Sequence, residues 1–195
     1  KERRENVLAN DEYLTRNLAD IEKFAGEALR TVSQNLSNLR PISIGPVDLA
    51  KELEFVTANY QHISGIRFEL HCDKNLPKVM ANEQSLKFIF SNLIENAIDA
   101  MHQEGRIEIK ALPSDGGVQV SIHDSGPGIS IELQEKIFDF SNNDPNRQKN
   151  LGFGLWWVKT ILFRLGGSIT LTSNPGEGTT FYLTFPVEEH DRAKT

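Results

Sequence analysis

Apolar residues recur every three or four positions through the first part of the chain. This spacing is typical of helices that pair with other helices. The apolar positions are Leu14, Leu18, Ile21, Ala25, Ala28 and Val32. We therefore predict a long, coiled-coil-like helix that forms a homodimer through residues 1–39, as part of a helical hairpin over residues 1–40. A lone amphipathic helix folded onto the next domain is the alternative.

Two prolines and a glycine in residues 40–47 interrupt this pattern and predict a linker over residues 41–47. Beyond it, helical and strand periods continue to residue 188, and a tail follows at 189–195. Helices are predicted at 48–62, 83–101, near 131–138 and at 154–165, and strands at 65–72, 106–112, 118–124, 168–173 and 179–186. Helices with a mixed, mostly antiparallel sheet predict an α+β two-layer sandwich over residues 48–188.

Composition excludes several classes of function. The chain has 195 residues, of which 38% are hydrophobic, and a net charge of −6. We expect no binding to nucleic acid, because that needs a clustered basic face. Cys72 is the single cysteine, which suits a reducing compartment. No apolar run approaches the roughly 18 residues that span a bilayer. We therefore expect a cytoplasmic segment, with any membrane anchor in parts of a longer protein outside this chain.

The sequence NLIENAIDAM at residues 92–101 places polar residues within an apolar helical run. At about 100° per residue, Asn92, Asn96 and Asp99 share a narrow strip beside the apolar face, and Glu95 lies just past it. An amide carbonyl there can bind Mg²⁺, which takes few protein ligands and completes its shell with water and phosphate oxygens. The alternative is that these amides bond to neighbouring backbone or to solvent.

The sequence HDSGPGI at residues 123–129 follows a predicted strand. Asp124 at the strand end can accept a charge-assisted hydrogen bond from an exocyclic amine. Gly126 and Gly128 let the backbone turn and approach a flat ligand closely. An ordinary turn is the alternative for this segment.

The sequence NLGFGLWWVKTIL at residues 150–162 has two glycines before an apolar helix. Gly152 and Gly154 would leave free N–H groups at a helix start, where phosphate binds. The polar stretch 141–150 before it indicates a lid over a nucleotide. Arg147 and Lys149 in that stretch either meet phosphates or are solvated.

The order of these motifs is more specific than any one of them. NLIENAIDAM, DSGPGI, IFDF and GFGL resemble the N, G1, F and G2 boxes of the GHKL ATPase superfamily, in particular the catalytic and ATP-binding domain of sensor histidine kinases. SNPGEGTTFYLTFP resembles the last hairpin of that domain. The resemblance covers roughly residues 47–187 and implies the GHKL, or Bergerat, ATP-binding fold.

The resemblance also implies ATP and Mg²⁺ as cofactors. Asn96 would bind Mg²⁺, Asn92 would line the phosphate end, and Asp124 would bind the adenine amine. Phe138 and Phe140 match the aromatic box, and Glu95 could assist the nucleophile. The implied ATP-binding residues are Asn92, Asn96, Asp99, Asp124, Gly126, Gly128, Ile129, Phe138, Arg147, Lys149, Gly152, Phe153, Gly154, Leu155 and Thr180.

The function implied is transfer of the ATP γ-phosphate to a histidine, followed by relay to a response-regulator receiver domain. Hydrolysing branches of the superfamily carry a glutamate where this chain has Asn92, and an amide cannot act as a general base. Transfer is therefore favoured over hydrolysis. Residues 1–39 contain no histidine, so we expect the phosphoacceptor upstream of Lys1.

Two alternatives remain open from the sequence. One is a GHKL serine kinase of the anti-sigma-factor or dehydrogenase-kinase type, which the missing histidine permits. The other is a non-catalytic dimeric signalling module with a vestigial nucleotide site. Asn150, in place of a glycine common in the family, and the pair Trp156 and Trp157 motivate that second alternative.

Overall fold

The computed structural model describes residues 43–139 and 154–188. The helix predicted over residues 1–39 lies outside these ranges, as does the tail 189–195. The described elements are β1 (Gly45–Val47), α1 (Leu49–Ala58), β2 (Ile66–Cys72), β3 (Val79–Ala81), α2 (Glu83–Ala100), β4 (Gly105–Ser114), β5 (Gly117–Asp124), α3 (Ile131–Gln134), α4 (Gly154–Arg164), β6 (Ser168–Asn174) and β7 (Gly178–Pro186).

The main sheet has five strands in the order β2-β4-β5-β7-β6. β2 and β4 run parallel, and the other neighbours are antiparallel. A second sheet pairs β1 with β3 in antiparallel register. The predicted mixed, mostly antiparallel sheet is therefore confirmed.

The helices bury their apolar stripes against the sheet and one another. α1 contacts α2 and β2, α2 contacts β4 and β5, and α4 contacts α2 and β6. The core includes Phe90 from α2 and Phe185 from β7, whose ring centroids lie 5.9 Å apart. The helical layer thus runs α1, α2, α4 across the sheet, as predicted for a two-layer sandwich.

Side-chain caps start α1 and α2. Asp48 Oδ1 accepts a hydrogen bond from the Lys51 backbone N–H before α1, at 3.3 Å. Asn82 Oδ1 accepts one from the Ser85 N–H before α2, at 3.1 Å. Each satisfies an N–H that the first helical turn leaves unpaired. The predicted cap at Asn82 is confirmed.

Several element boundaries differ from those predicted. The segment expected as a linker contains β1, because Gly45–Val47 pairs with Val79–Ala81, and a three-residue strand has no readable period. The helix predicted near 131–138 covers only Ile131–Gln134, and turns follow it. α1 ends at Ala58 and not at residue 62. Within the described ranges, no helix combines the length and apolar character needed to cross a membrane.

Candidate nucleotide site

Two asparagines on α2 contact each other at the centre of the candidate site. Asn96 Nδ2 donates a hydrogen bond to Asn92 Oδ1 at 3.2 Å, and both side chains are half-buried. This bond engages the Asn96 N–H₂ group and leaves the Asn96 carbonyl oxygen as an acceptor. An amide oxygen of this kind is a suitable ligand for a hard cation such as Mg²⁺.

The first residue of α4 lies directly against this pair. A Cβ atom built on Gly154 would stand 2.3 Å from Asn92 Oδ1 and 2.8 Å from Asn92 Nδ2. Only a glycine allows the start of α4 to come this close to the amide of Asn92. Leu155 follows it and is half-buried. The structure therefore brings the N-terminal end of α4 to the predicted phosphate end of the site.

Asp124 ends β5 as a buried carboxylate, with 5% of its surface exposed. Burial raises its pKa, while hydrogen bonds from the backbone N–H groups of Gly126 and Thr179 oppose that shift. The bond from Gly126 to Asp124 Oδ1 measures 2.9 Å. A buried acceptor with remaining lone pairs is suited to an N–H donor on a ligand.

The residues after Asp124 turn beneath the last hairpin. Gly128 has φ +74°, and a Cβ atom there would stand 2.1 Å from the Asn174 carbonyl oxygen. Only glycine fits both requirements. Gly126 is buried, and a Cβ atom on it would stand 3.4 Å from Met101 Cγ at the end of α2.

α2 therefore joins the two halves of the site. Asn92 of α2 contacts Gly154. Met101 caps the C-terminal end of α2 and packs against Gly126. Met101 is nine positions after Asn92, which is roughly 13 Å along a helix. This spacing suits a ligand that carries phosphate at one end and a base at the other.

The structure changes one predicted residue. Thr180 faces away from Asp124, and its Oγ1 lies 3.0 Å from His123 Nδ1 on the opposite face of the sheet. Thr179 is the register partner of Asp124 and is 4% exposed. Adjacent residues of a strand point to opposite faces, so Thr179 shares the face of Asp124 and Thr180 lies on the other face. Choosing between them needs the register of β5 and β7, which the sequence alone does not show.

Glu95 accepts a hydrogen bond from a residue next to the neighbouring helix α1. Tyr60, just after α1, donates its hydroxyl to Glu95 Oε1 at 2.7 Å. Burial, more than the nearby carboxylate, raises the pKa of Tyr60 to about 12, so this phenol stays a donor at neutral pH. Asp99 is exposed one turn further along α2. Glu95 is thus held towards α1, whereas Asn92 meets α4.

Phe138 lines a cavity that is separate from the asparagine pair and from Asp124. Its ring packs edge-on against Phe181, with centroids 6.3 Å apart, and Lys159 Nζ lies 5.5 Å from its centroid. Phe138 and Trp156 line a cavity of about 420 Å³ next to α4. The asparagine pair and Asp124 do not line this cavity. Trp157 is buried in the body of the domain.

Three side chains of the kinds that bind metal ions cluster on the face of the sheet opposite to Asp124. Glu69, His71 and Glu108 bring their ligand atoms within 4.8 Å of one another. Both carboxylates already have cationic partners, Arg67 for Glu69 at 3.0 Å and Lys110 for Glu108 at 2.8 Å. The hydrogen bond from Lys110 lowers the pKa of Glu108. These ion pairs account for the group without a bound cation.

Several predicted residues lie outside the described ranges. They are Phe140, Arg147, Lys149, Asn150, Gly152 and Phe153. Three residues of the described site were missed from the sequence, namely Thr179, Ser173 and Gln134. Ser173 Oγ accepts a hydrogen bond from the Ile129 N–H at 2.8 Å. Gln134 Nε2 donates to the carbonyl oxygen of Ile129 at 2.7 Å.

The fold and the two-ended site agree with a known family. The family model described as "Histidine kinase-, DNA gyrase B-, and HSP90-like ATPase" matches residues 81–189. This match covers more than half of the chain, and the chain therefore belongs to this family. The GHKL fold predicted from the four boxes is thereby confirmed.

Particular relatives narrow the comparison. An adaptive-response sensory kinase SasA of Prochlorococcus marinus is 32% identical over 187 residues, which are 93% of this chain and 49% of that protein. The chain thus spans about half the length of this relative. The crystal structure of full-length ShkA in complex with AMPPNP has a TM-score of 0.70 and 27% identity, covering 83% of this chain and 36% of that chain. Histidine kinase ThkA in complex with the response regulator TrrA has a TM-score of 0.67 and 27% identity, covering 91% and 50%.

Proposed function

We propose that this chain is the ATP-binding catalytic region of a sensor histidine kinase and uses Mg²⁺. The observation that carries this proposal is the two-ended site along α2, with the asparagine pair and Gly154 at one end and Asp124 with Gly126 at the other. The ShkA structure with AMPPNP, an analogue of ATP, supports ATP as the ligand.

Each described residue has a role in this proposal. Asn96 holds Mg²⁺ through its carbonyl oxygen, and Asn92 fixes the Asn96 amide and lines the phosphates. Asp124 accepts the adenine amine, and Gly126 and Gly128 shape the loop beside the base. The task of a protein in phosphoryl transfer is largely positioning and charge neutralisation, which this arrangement supplies.

The site favours transfer over hydrolysis. Asn92, at the position of the water-activating glutamate in hydrolysing relatives, is an amide bonded to Asn96. Glu95 is held by Tyr60 on the side of α1. Since a positioned general base typically contributes 10²–10⁴-fold, its absence disfavours attack by water. The favoured acceptor is a histidine of the longer protein, upstream of Lys1.

The remaining assignments concern the longer protein. We propose a homodimer through residues 1–39 and a catalytic domain over residues 48–188, to which β1 also belongs through its pairing with β3. The phosphoryl group is relayed to a receiver domain, for which the ThkA complex with TrrA is the precedent. The catalytic region works in the cytoplasm, and any membrane attachment lies in other parts of the longer protein. Arg147, Lys149, Gly152 and Phe153 serve the phosphate side.

Calorimetry with ATP tests the proposal, with and without Mg²⁺, on the wild type and Asp124→Asn. A hydrogen bond to a charged group contributes about 1.5–3 kcal/mol, so we expect roughly 10- to 150-fold weaker binding in the variant. Asp115→Asn, in the exposed turn between β4 and β5, is the matched control. A wild type that binds no ATP in the presence of Mg²⁺ would overturn the proposal.

Phosphotransfer needs a separate measurement on the longer protein that contains this chain. Incubation with ATP labelled in the γ-phosphate should give an acid-labile, base-stable phosphoprotein, as expected of phosphohistidine. Acid-stable label on serine would instead favour the serine-kinase alternative.

A further inference from the structure

Ser173 and Gln134 bind the two backbone polar groups of one residue, Ile129, in the loop that follows Asp124. The Ile129 N–H donates to Ser173 Oγ at 2.8 Å, and the Ile129 carbonyl oxygen accepts from Gln134 Nε2 at 2.7 Å. Gln134 Nε2 also donates to the Ser173 carbonyl oxygen at 2.9 Å. These bonds tie the loop of residues 126–129, here named the glycine loop, to β6.

The last hairpin contacts the same loop at two further points. The Gly176 N–H donates to the Pro127 carbonyl oxygen at 2.7 Å. The carbonyl oxygen of Asn174 occupies the space where a Cβ atom of Gly128 would stand. The glycine loop is therefore positioned by β6 and its turn, in addition to its own sequence.

A count of protons fixes how the hydroxyl groups are oriented. Ser173 Oγ lies 2.8 Å from the Gly178 carbonyl oxygen and 3.0 Å from Thr179 Oγ1. A carbonyl oxygen can only accept, so the single Ser173 proton goes to Gly178. The bond between the two hydroxyls then requires Thr179 to donate to Ser173. Thr179 has no second proton and offers only lone pairs elsewhere.

This orientation matters because the three residues form one row across the sheet. Ser173 is the register partner of Thr179, and Thr179 is the register partner of Asp124. Register partners share a face of the sheet, so all three lie on the face that carries the site. An ionised Asp124 also only accepts. The Thr179 hydroxyl and the Asp124 carboxylate therefore offer only hydrogen-bond acceptors to the edge of a bound base.

We propose that Ser173, supported by Gln134, is a positioning residue that makes the site select a purine with an amine, and not a carbonyl oxygen, at C6. The inference rests on the proposed function and deepens it. The adenine amine donates to such a row, whereas the carbonyl oxygen of guanine at the equivalent position meets acceptors and finds no donor. A mismatch of this kind leaves polar groups unpaired, which is how sites reject near-isosteric ligands.

The test compares ATP and GTP affinities of the whole chain by calorimetry with Mg²⁺ for the wild type, Ser173→Ala and Ser173→Thr. Ser173→Ala frees the Thr179 proton and leaves the Ile129 N–H unpaired. We expect ATP to bind roughly fivefold more weakly and the ATP-to-GTP preference to narrow by about tenfold. Ser173→Thr retains the hydroxyl and should keep the wild-type preference.

The same two strands provide a matched control. Ser168 and Thr184 form an equivalent cross-strand hydroxyl pair at 2.8 Å, five residues from Ser173 and on the opposite, exposed face. Ser168→Ala removes that pair and should change neither affinity. Gln134→Met removes the donor to Ile129 while keeping the hydroxyl row, so it should weaken ATP binding and leave the preference nearly intact. If Ser173→Ala lowers Tm strongly, the Gln134→Met variant still tests whether the position of the glycine loop affects ATP binding.

The outcomes separate the two proposals. A wild type without ATP binding overturns the proposed function, and this inference with it. A wild type that binds ATP, together with Ser173→Ala and Gln134→Met variants of unchanged affinity and preference, overturns the inference alone. Loss of preference in Ser173→Ala with its recovery in Ser173→Thr supports it.

Discussion

Replacing Gly154 by alanine tests whether the contact between α4 and Asn92 organises the phosphate end of the site. The added Cβ atom would stand 2.3 Å from Asn92 Oδ1, 2.8 Å from its Nδ2 and 2.9 Å from its Cγ. The side chain of Asn92 must therefore move, which breaks its hydrogen bond with Asn96.

The magnitude follows from two opposing effects. Alanine in place of glycine stabilises by about 0.4–1 kcal/mol through the lower entropy of the unfolded chain, and the lost hydrogen bond costs about 0.5–1.5 kcal/mol. The free energy of unfolding should therefore change little. Nucleotide binding has no such compensation, because the amides at the Mg²⁺ and phosphate end are displaced. We expect Mg-ATP to bind about tenfold more weakly, which is roughly 1.4 kcal/mol.

Calorimetry with Mg-ATP and thermal unfolding measure the two quantities on the same samples. Gly45→Ala is the matched control, because a Cβ atom there would have nothing within 4 Å. In an Asn92→Ala background the Gly154→Ala change should have no further effect on affinity, since the group it displaces is gone. Wild-type affinity in Gly154→Ala at unchanged Tm would show that the contact between α4 and Asn92 does not organise the phosphate end.

Three further predictions concern pH and backbone strain. Burial raises the pKa of Asp124, so the ionised carboxylate lowers the stability of the folded chain above that pKa, and this loss of stability disappears as the pH falls through it. Thermal unfolding of ligand-free Asp124→Asn should therefore show a stability gain over the wild type that grows with pH. A gain that does not depend on pH would contradict this prediction. Gly178 has φ +87°, and its Cβ atom would stand 1.9 Å from the Asp124 carbonyl oxygen, so Gly178→Ala should cost at least about 2 kcal/mol in denaturant unfolding. Gly116→Ala, with φ +80° but open space, should cost only about 1 kcal/mol, and equal costs would show that the close contact is unimportant. Burial raises the pKa of Tyr60 to about 12, so the stability that its neutral hydroxyl contributes is complete below pH 10 and is lost as the pH rises towards 12. Tyr60→Phe should reduce stability at neutral pH by about 0.5–1.5 kcal/mol, and its stability should fall less than that of the wild type at alkaline pH. Unfolding curves that keep the wild-type pH dependence would argue against this prediction.

Long periodic segments and local motifs were accessible from the sequence. The stripe of α2, its cap at Asn82 and the alternation of β4 and β5 each depend on residues close together in the chain. The pairing of β1 with β3 was missed because more than thirty residues separate them and each strand has three residues, too few to show a period. The extent of α3 was overestimated because its apolar residues Ile131 and Leu133 are exposed and do not extend the helix.

Reading the sequence alone was enough to predict the layers of the fold, the asparagine strip on α2, the carboxylate that ends β5, and the glycines beside them. It could do so because helical and strand periods and strand ends are local properties. The tertiary structure alone decided that Thr179 and not Thr180 faces Asp124, that Gly154 meets Asn92, and that Ser173 and Gln134 hold Ile129. These relations depend on strand register and on contacts between distant segments, and a shift of one residue in register would exchange the two faces of β7.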